Sequence, residues 1–529
     1  MNRVSRRQIL RGTATAVAAA TLEAPFVHAQ RRGATLRFAA QADLKTLDPV
    51  WTTGYITRNY GYLVYDTLFG TDEQHRIKPQ MVERWSVSPD GMKYTFTLRD
   101  GLRWHDGRPV QSEDCVESLK RWGKRDRFGQ LLMAHVGKLA PVDQKTFTLV
   151  LAERFGAVLD ALGKPSSIVP FMMPARIASL SPDEEIKEIV GSGPFRFVKG
   201  EWQPGKQAVY VRNSDYLPRQ EPPEGSTGGK KAYLDKVIWR YIPDHPTAAD
   251  ALAAGEVDWW EYPPVDFIPK IEQNPSLRTA VFDPLGTQGW LRPNHLHPPF
   301  NNKKARQALL HMMDQVTYLH LAVGQYYRPC YSVYACGGPY ATNAGAEPLM
   351  KHDLDKARQL VKDSGYDGRP VVVIQQTDFP FVTRAAQVTR QRLESIGFKV
   401  ELKEMDWSTS LVVRERKERP DKGGWNILHT FFAATDVTNP PVHFAISGAG
   451  PSAWAGWPAV PQVERLITDW VRTADSAKRK QLAAEIQKVA LDEVTYVPWG
   501  EWDMPTAFRR NVQGILKFTA PLFWNVTIS

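Results

Sequence analysis

The chain has 529 residues, of which 67 are lysine or arginine and 57 are aspartate or glutamate, so its net charge is +10. Without residues 1–29 the net charge falls to +7, because that segment holds four arginines and one glutamate. An excess this small, with no long basic run, argues against nucleic-acid binding. The length predicts about two to four domains with large cores.

Residues 1–29 have the layout of an export signal. In "SRRQILR", Arg6 and Arg7 precede the apolar stretch "TATAVAAATLEAPFV", and Val27 and Ala29 occupy the −3 and −1 positions of a cleavage site. The paired arginines are typical of a twin-arginine signal peptide. No other stretch holds about eighteen apolar residues in a row. We therefore expect a soluble periplasmic protein after export.

The three cysteines are compatible with an oxidising compartment. In "PCYSVYAC", Cys330 and Cys336 could close a small disulfide loop. Their spacing matches neither a redox CxxC pair nor a common zinc pattern. Cys115 falls in a helical pattern, "SEDCVESLKRW", and is interpreted as a buried thiol.

Strand and hairpin signals dominate the region from 34 to about 160. "TLRFAA" alternates, and alternating apolar residues in "WSVSPDGMKYTFTLRDGLRWHDG" flank turns at Asp90-Gly91 and Asp106-Gly107. A helix is predicted at "QSEDCVESLKRWGKR". Between 195 and 262 the strands "PFRFVKG", "QAVYVRN" and "KVIWRYI" precede the helical "TAADALAAGEVD".

After residue 300 the period becomes helical. One helical face of "NNKKARQALLHMMDQVTYLHLAV" collects Ala305, Ala308, Leu309, Met312, Val316 and Leu319. Further along, strand, helix and strand signals at "RPVVVIQQ", "FVTRAAQVTRQRLESIG" and "FKVELKEM" are followed by a buried strand, "WNILHTFFAA". This order predicts βαβ units with a parallel sheet.

The stretch "FFAATDVTNPP" carries one acid, Asp436, from the end of that strand into an Asn-Pro-Pro turn. One interpretation is a structural carboxylate that caps backbone N–H groups. The other is a ligand-binding carboxylate, because ligands of open α/β sheets bind at the carboxyl ends of the strands. The local residues leave both interpretations open.

The sequence contains no recognisable catalytic motif. It has no GxSxG elbow, SxxK pair, HExxH helix, Walker loop or GxGxxG. His295 and His297, in "NHLHPP", are spaced so that they could share a metal, which leaves a metal or metal-chelate binder as an alternative. We expect a binding protein without an enzyme activity, a cofactor or a resident metal.

Seven blocks along the mature chain resemble the bacterial extracellular solute-binding proteins of family 5, which serve ATP-driven importers of peptides, nickel and opines. In family order the blocks are "TLDP", "KPQMVERWSVSPDGMKYTFTLRDGLRWHDGRPVQSEDC", "GSGPFRF", "NSDY", "ALAAGEVD", "PPFNNKKARQAL" and "DLDKARQLVKDSGY". Each block alone is weak, and their shared order behind an export signal carries the resemblance.

The resemblance implies an α/β, two-lobed periplasmic binding protein fold of type II, in the large peptide-binder class with an extra subdomain. Two crossings, near 288–293 and 498–503, are expected to form a hinge. The implied organisation is a signal peptide at 1–29, the first part of lobe I at 30–70, the extra subdomain of lobe I at 71–190, the second part of lobe I at 191–288, lobe II at 289–498 and the C-terminal segment of lobe I at 499–529.

The function implied by the resemblance is that of the periplasmic substrate-binding component of an ABC importer. A monomer would capture a peptide or a related amino-bearing solute by closing its lobes, and would deliver it to an inner-membrane permease. An alternative of another class is an exported hydrolase that acts on peptides or glycans in the same cleft.

The resemblance also assigns site residues. Asp436 stands where many peptide binders of the family hold the ligand's α-ammonium. Dipeptide binders place an arginine near "IQQTDFPF" to clamp the ligand's carboxylate, and this chain has none there. The further candidates, each with core packing or a structural role as the alternative, are the aromatic residues Trp407, Trp454, Trp457 and Tyr55 and the hinge-side Asn294.

Overall fold

The computed structural model describes residues 34–166, 168–283 and 285–529. The predicted signal peptide lies outside the described residues. None of the helices within the described ranges is long and apolar enough to cross a membrane.

Strands in the described residues build two large sheets and three smaller ones. In chain order the strands are β1 (Thr35–Ala39), β2 (Phe69–Thr71), β3 (Ile77–Pro79), β4 (Val82–Val87), β5 (Lys93–Leu98), β6 (Val136–Pro141), β7 (Thr146–Leu151), β8 (Phe195–Phe197), β9 (Gln207–Arg212), β10 (Lys236–Arg240), β11 (Trp259–Trp260), β12 (Leu277–Ala280), β13 (Thr287–Pro293), β14 (Tyr327–Arg328), β15 (Val371–Gln376), β16 (Val400–Met405), β17 (Ile427–Ala433), β18 (Val497–Trp502), β19 (Thr506–Arg509), β20 (Val512–Gln513) and β21 (Thr527–Ile528).

Helices cover the faces of the sheets and connect their strands. In the described ranges and in chain order they are α1 (Tyr55–Val64), α2 (Ser112–Arg125), α3 (Arg127–His135), α4 (Val158–Leu162), α5 (Ala175–Ala178), α6 (His245–Ala254), α7 (Ile268–Glu272), α8 (Lys303–Met312), α9 (Gln315–Val323), α10 (Glu347–Met350), α11 (Leu354–Asp363), α12 (Pro380–Ser395), α13 (Trp407–Val413), α14 (Pro461–Arg472) and α15 (Ser476–Asp492).

The first large sheet has seven strands in the order β12-β19-β11-β1-β10-β9-β8. The central strand β1 pairs in parallel with β10 and with β11, so these three strands end at the same edge. Phe38 of β1 packs edge-on against Trp259 and Phe523, with ring centroids 5.1 Å apart in both pairs. Aromatic pairs in this geometry stabilise a core beyond the area they bury.

The second large sheet has six strands in the order β14-β18-β13-β17-β15-β16. β15 pairs in parallel with β16 and with β17, and α12 connects β15 to β16. The predicted βαβ unit is therefore confirmed. The sheet is mixed, because β13 pairs antiparallel with both β17 and β18.

A separate four-stranded antiparallel sheet, in the order β4-β5-β7-β6, lies within the segment predicted as an extra subdomain. The predicted hairpin is confirmed: β4 and β5 pair antiparallel, and Gly91 takes a φ of +74° in the turn between them. Few residues other than glycine adopt that conformation without strain.

The helical stretch predicted over 301–323 is divided in the structure. α8 ends at Met312, and the side chain of Asp314 caps α9 by accepting the backbone N–H of Thr317. The new helix changes the direction of the apolar face, so Val316, which the pattern places in the core, is 47% exposed. The single-face prediction is wrong at that residue because a capping aspartate restarts the helix.

The chain passes between the two large sheets at two places. β12 of the first sheet leads into β13 of the second, and β18 of the second leads into β19 of the first. β13 and β18 are antiparallel neighbours, with Thr287 opposite Trp502. The crossings predicted near 288–293 and 498–503 thus coincide with these paired strands, while the lobe boundaries themselves stay a prediction.

Candidate ligand-binding cavity

A cavity of about 510 Å³ lies where strands of the two large sheets end. Its lining includes residues within four positions of the ends of β1, β10 and β15, among them Asp43, Tyr241 and Asp378. A cavity of this size at the carboxyl ends of strands is suited to a small organic ligand.

Four carboxylates line this cavity, and two of them already have a basic partner. Asp266 pairs with Arg384 at 2.5 Å, and Asp503 pairs with Arg328 at 3.3 Å. For the other two, Asp43 and Asp378, no ion pair is present among the described residues. The cavity therefore holds two carboxylates whose charges are not matched by a bound basic side chain.

The pKa values of two neighbouring side chains, Tyr241 and His245, are shifted by burial and by these acids. Burial raises the pKa of the Tyr241 phenol, and the negative charges of Asp378 and Asp43 raise it further. Burial also lowers the pKa of His245, against the opposing effect of Asp244 and Asp378, so this cavity-lining imidazole favours its neutral form. The Tyr241 phenol thus lies in the negative field of two cavity carboxylates.

Aromatic side chains form one wall of the cavity. The Phe379 and Trp407 rings lie 4.9 Å apart, and the Phe381 and Trp502 rings lie 5.4 Å apart. Behind them the Phe431 ring contacts Phe379, Phe381 and Trp407 at centroid distances of 4.9 to 5.6 Å. The backbone N–H of Trp407 donates to Asp378 Oδ1 at 2.8 Å, which fixes that carboxylate beside the wall.

A second cavity, of about 50 Å³, adjoins the first through Tyr262 and Met504, which line both. Its buried Arg58 donates to Ser166 Oγ at 2.6 Å and to the carbonyl of Thr519 at 2.8 Å. Glu261 also lines it, and burial raises the pKa of that carboxyl to about 7. The small cavity thus adds a buried basic and a buried acidic side chain, Arg58 and Glu261, to the surroundings of the large one.

Asp436 does not line either cavity and is 2% exposed. It follows β17 in a 3-10 turn, Ala434–Val437, as the buried-strand prediction requires. Its Oδ2 accepts hydrogen bonds from the Tyr55 hydroxyl at 2.7 Å and from Ser166 Oγ at 3.1 Å. Burial raises the pKa of the Asp436 carboxyl, although Tyr55, Lys164 and Arg58 oppose that shift.

The structure brings Tyr55 together with Asp436, and Trp407 with the cavity, but it places the other candidates elsewhere. The ring of Trp454 packs on Trp290 and under the Arg292 guanidinium, at 6.0 and 5.3 Å from their centres. Trp457 is buried against Trp425. Neither tryptophan lines the two cavities, and their contact with a ligand stays a prediction.

Asn294 is fully buried and bonds to the backbone. Its side chain donates to the carbonyl of Trp425 at 3.0 Å and accepts the N–H of Leu296 at 3.0 Å. His295 and His297 contact separate carbonyls, of Val494 and Lys417. Within the described residues this histidine pair does not belong to any group of three close metal-donor side chains, and the metal alternative stays a prediction.

Cys330 and Cys336 are joined by a disulfide in the structure, with Cα atoms 5.9 Å apart. Cys115 is a buried free thiol, as interpreted from its helical pattern. The disulfide lies next to Glu501, whose Oε1 accepts the backbone N–H of Cys336 at 3.0 Å.

Sequence reasoning missed Asp43 and Tyr241 as site residues and noted Asp378 only for the absence of an arginine. Asp43 and Asp378 follow the predicted strands "TLRFAA" and "RPVVVIQQ", and Tyr241 lies near the end of the predicted strand "KVIWRYI". The rule that selected Asp436, an acid beyond the carboxyl end of a strand, would have selected Asp43 and Asp378 as well.

Comparisons with known proteins point to one family. The model "Bacterial extracellular solute-binding proteins, family 5 Middle" matches residues 76–452. A protein of Sinorhizobium fredii (strain NBRC 101917 / NGR234), named "Probable peptide ABC transporter periplasmic-binding protein y4tO", is 38% identical over 532 residues, which cover 99% of this chain and 99% of that protein.

Two solved structures share the fold. AgaA from A.tumefacien R10, in complex with agropinic acid, has a TM-score of 0.80 at 23% identity and covers 94% of this chain and 99% of its own. DppA from Helicobacter pylori, in complex with the peptide STSA, has a TM-score of 0.80 at 22% identity with the same coverage. The two-lobed fold predicted from the sequence is confirmed. Since the family model spans more than half of the chain, this protein belongs to the bacterial extracellular solute-binding proteins, family 5.

Proposed function

We propose that the protein is the exported, periplasmic substrate-binding component of an ABC importer, and that it captures a peptide or an opine-like amino-bearing solute without changing it. The family and the name of the Sinorhizobium relative support the transport role. The ligands in the AgaA and DppA complexes, agropinic acid and a peptide, support the ligand class. The inner-membrane permease is the partner that would receive the solute.

The observation that carries this proposal is the 510 Å³ cavity between the strand ends of two sheets, with carboxylates and aromatic rings in its lining. An ammonium group about 4 Å from a carboxylate gains roughly 4 kcal/mol at an effective dielectric near 20, against about 1 kcal/mol in water. Closure of the lobes over the solute would exclude water and strengthen that interaction, which is the physical reason for binding between two lobes.

Asp436 is the residue proposed to receive the ligand's ammonium, on the strength of the family resemblance. In the structure its Oδ2 already accepts hydrogen bonds from Tyr55 and Ser166, so an arriving ammonium has to share or replace them. Asp436→Asn keeps the shape and removes the charge. We expect it to weaken binding by about thirty-fold or more, whereas Tyr55→Phe, which keeps the charge, should cost less.

The proposal is tested by native mass spectrometry of the purified protein with a panel of short peptides and opines. We expect one unmodified ligand per chain and a smaller radius of gyration in scattering of the complex. Cleaved products would support the hydrolase alternative instead. A panel in which no solute adds its mass to the protein would contradict the proposal.

A further inference from the structure

We propose that the 510 Å³ cavity selects solutes that carry a guanidinium or alkylammonium side chain, and that Asp43 and Asp378 determine this selectivity. The inference rests on the proposed function, because it names the ligand class of the same cavity. Its basis is the arrangement of charge and aromatic surface around the cavity.

The two carboxylates come from different sheets. Asp43 follows β1 of the first sheet and Asp378 follows β15 of the second, and both line the cavity. The phenol of Tyr241, itself in the lining, lies in the field of both. A positively charged group in this part of the cavity is therefore attracted to both sheets at once.

The basic groups of the lining do not cancel this charge. Arg384 is held by Asp266 at 2.5 Å. Lys45 is exposed, so solvent screens its charge, and burial lowers the pKa of His245. Asp378 is exposed as well, but its Oδ1 accepts the Trp407 N–H at 2.8 Å, so this carboxylate is already held in place when a cation reaches it and little further ordering is required.

The aromatic wall is suited to the same group. Trp407 and Phe379 line the cavity on the side of Asp378, with ring centroids 4.9 Å apart. The face of an aromatic ring attracts a guanidinium or an alkylammonium through its quadrupole, most strongly for tryptophan. A carboxylate beside such rings favours a cation on an aliphatic stem over a neutral polar side chain of equal size.

The test uses a matched pair of peptides, Gly-Arg-Gly and Gly-citrulline-Gly, which differ in charge but hardly in shape. Calorimetric titration of the intact mature protein should show that the arginine peptide binds about tenfold or more tightly. Asp378→Asn and Asp43→Asn should each reduce that ratio several-fold. Asparagine is chosen at 378 because its carboxamide oxygen can still accept the Trp407 N–H.

Asp250→Asn is the matched control. Asp250 is an exposed aspartate on α6 that does not line the cavity, so its neutralisation changes the net charge equally and should leave the ratio unchanged. Equal binding of the two peptides by the parent protein would overturn the inference, as would a ratio that survives in both cavity variants. If other solutes of the panel bind but neither peptide does, the selectivity is refuted while the proposed function stands.

Discussion

At the scale of single residues, the negative charge of the Glu501 carboxylate lowers the free energy of unfolding. Glu501 is fully buried on β18, and its Oε2 has no hydrogen-bond partner within the described part of the chain. Burial raises the pKa of the Glu501 carboxyl from its ordinary value of 4.5 to about 7. A buried carboxyl oxygen without a hydrogen-bond partner destabilises the fold less when the carboxyl is protonated than when it is charged.

The raised pKa of Glu501 predicts a pH-dependent loss of stability. Below the unfolded value of 4.5 both states are protonated, and between 4.5 and about 7 only the folded state keeps the proton. The free energy of unfolding therefore falls as pH rises through this window, by about 3 kcal/mol from this one group. Glu501→Gln, which mimics the protonated acid, should gain that amount relative to the parent between pH 4.5 and 7.5.

Urea titrations at several pH values measure this difference. Glu485→Gln, at an exposed position on α15, is the control and should follow the parent at every pH. A Glu501→Gln variant whose difference from the parent does not change with pH would show that the buried carboxylate is not the group responsible.

At the scale of secondary-structure elements, the bulge between β13 and β18 depends on glycine. The register shifts after Gly289, which lies opposite Gly500, and the indole of Trp499 packs directly over the Gly289 Cα. The Trp499 ring is itself stacked on Trp502 at 4.7 Å and is fully buried. The strand pair on which both crossings converge therefore has no room for a side chain at 289.

Gly289→Ala should destabilise the protein. A Cβ at this position would overlap the Trp499 indole, and overpacking of a close-packed core costs about 1 to 3 kcal/mol. We expect a lower urea midpoint by tryptophan fluorescence. Gly200→Ala is the control, because Gly200 is exposed and an added Cβ there meets nothing within 4 Å. Equal midpoints for the two variants would contradict the packing argument.

Elements of this kind show what the sequence can and cannot predict. The hairpin around Gly91 and the βαβ unit of β15, α12 and β16 rest on local periodicity and turn chemistry, and the structure confirms them. The bulge at Gly289 and the presence of Asp43 and Asp378 in one cavity depend on contacts between residues far apart in the chain. Periodicity specifies which face a residue takes, but not which distant residue it meets.

At the scale of the whole molecule, polar contacts join the elements of the first large sheet to those of the second. The Tyr55 hydroxyl of α1 donates to Asp436, and Asp266, in the 3-10 turn Val265–Phe267, pairs with Arg384 of α12 beside the cavity. The Asp266 and Arg384 side chains are 60% and 35% exposed. Each of these contacts exists only while the elements of the two large sheets lie together.

Arg384→Gln should favour separation of the first large sheet from the second, with little effect on the folding of either. An exposed ion pair contributes up to about 1 kcal/mol, which corresponds to about a fivefold change in a two-state equilibrium. We expect a larger radius of gyration without ligand and faster ligand dissociation. Arg390→Gln is the matched control, since the Glu394 partner of Arg390 lies on the same helix at 3.0 Å. Identical scattering and dissociation for both variants would show that the Asp266 pair has no such role.

The side-by-side arrangement of the two chain crossings has a mechanical consequence. Because Thr287 and Trp502 are paired neighbours, both covalent links between the sheets leave from adjacent points of one ribbon. A sheet that is linked to another through two adjacent strands can rotate about the line that joins the two links. Sliding or twisting would instead stretch one of the two strands. The proposed closure of the lobes would therefore be a rotation about this line, and it would return Asp43 and Asp378 to the same spacing each time.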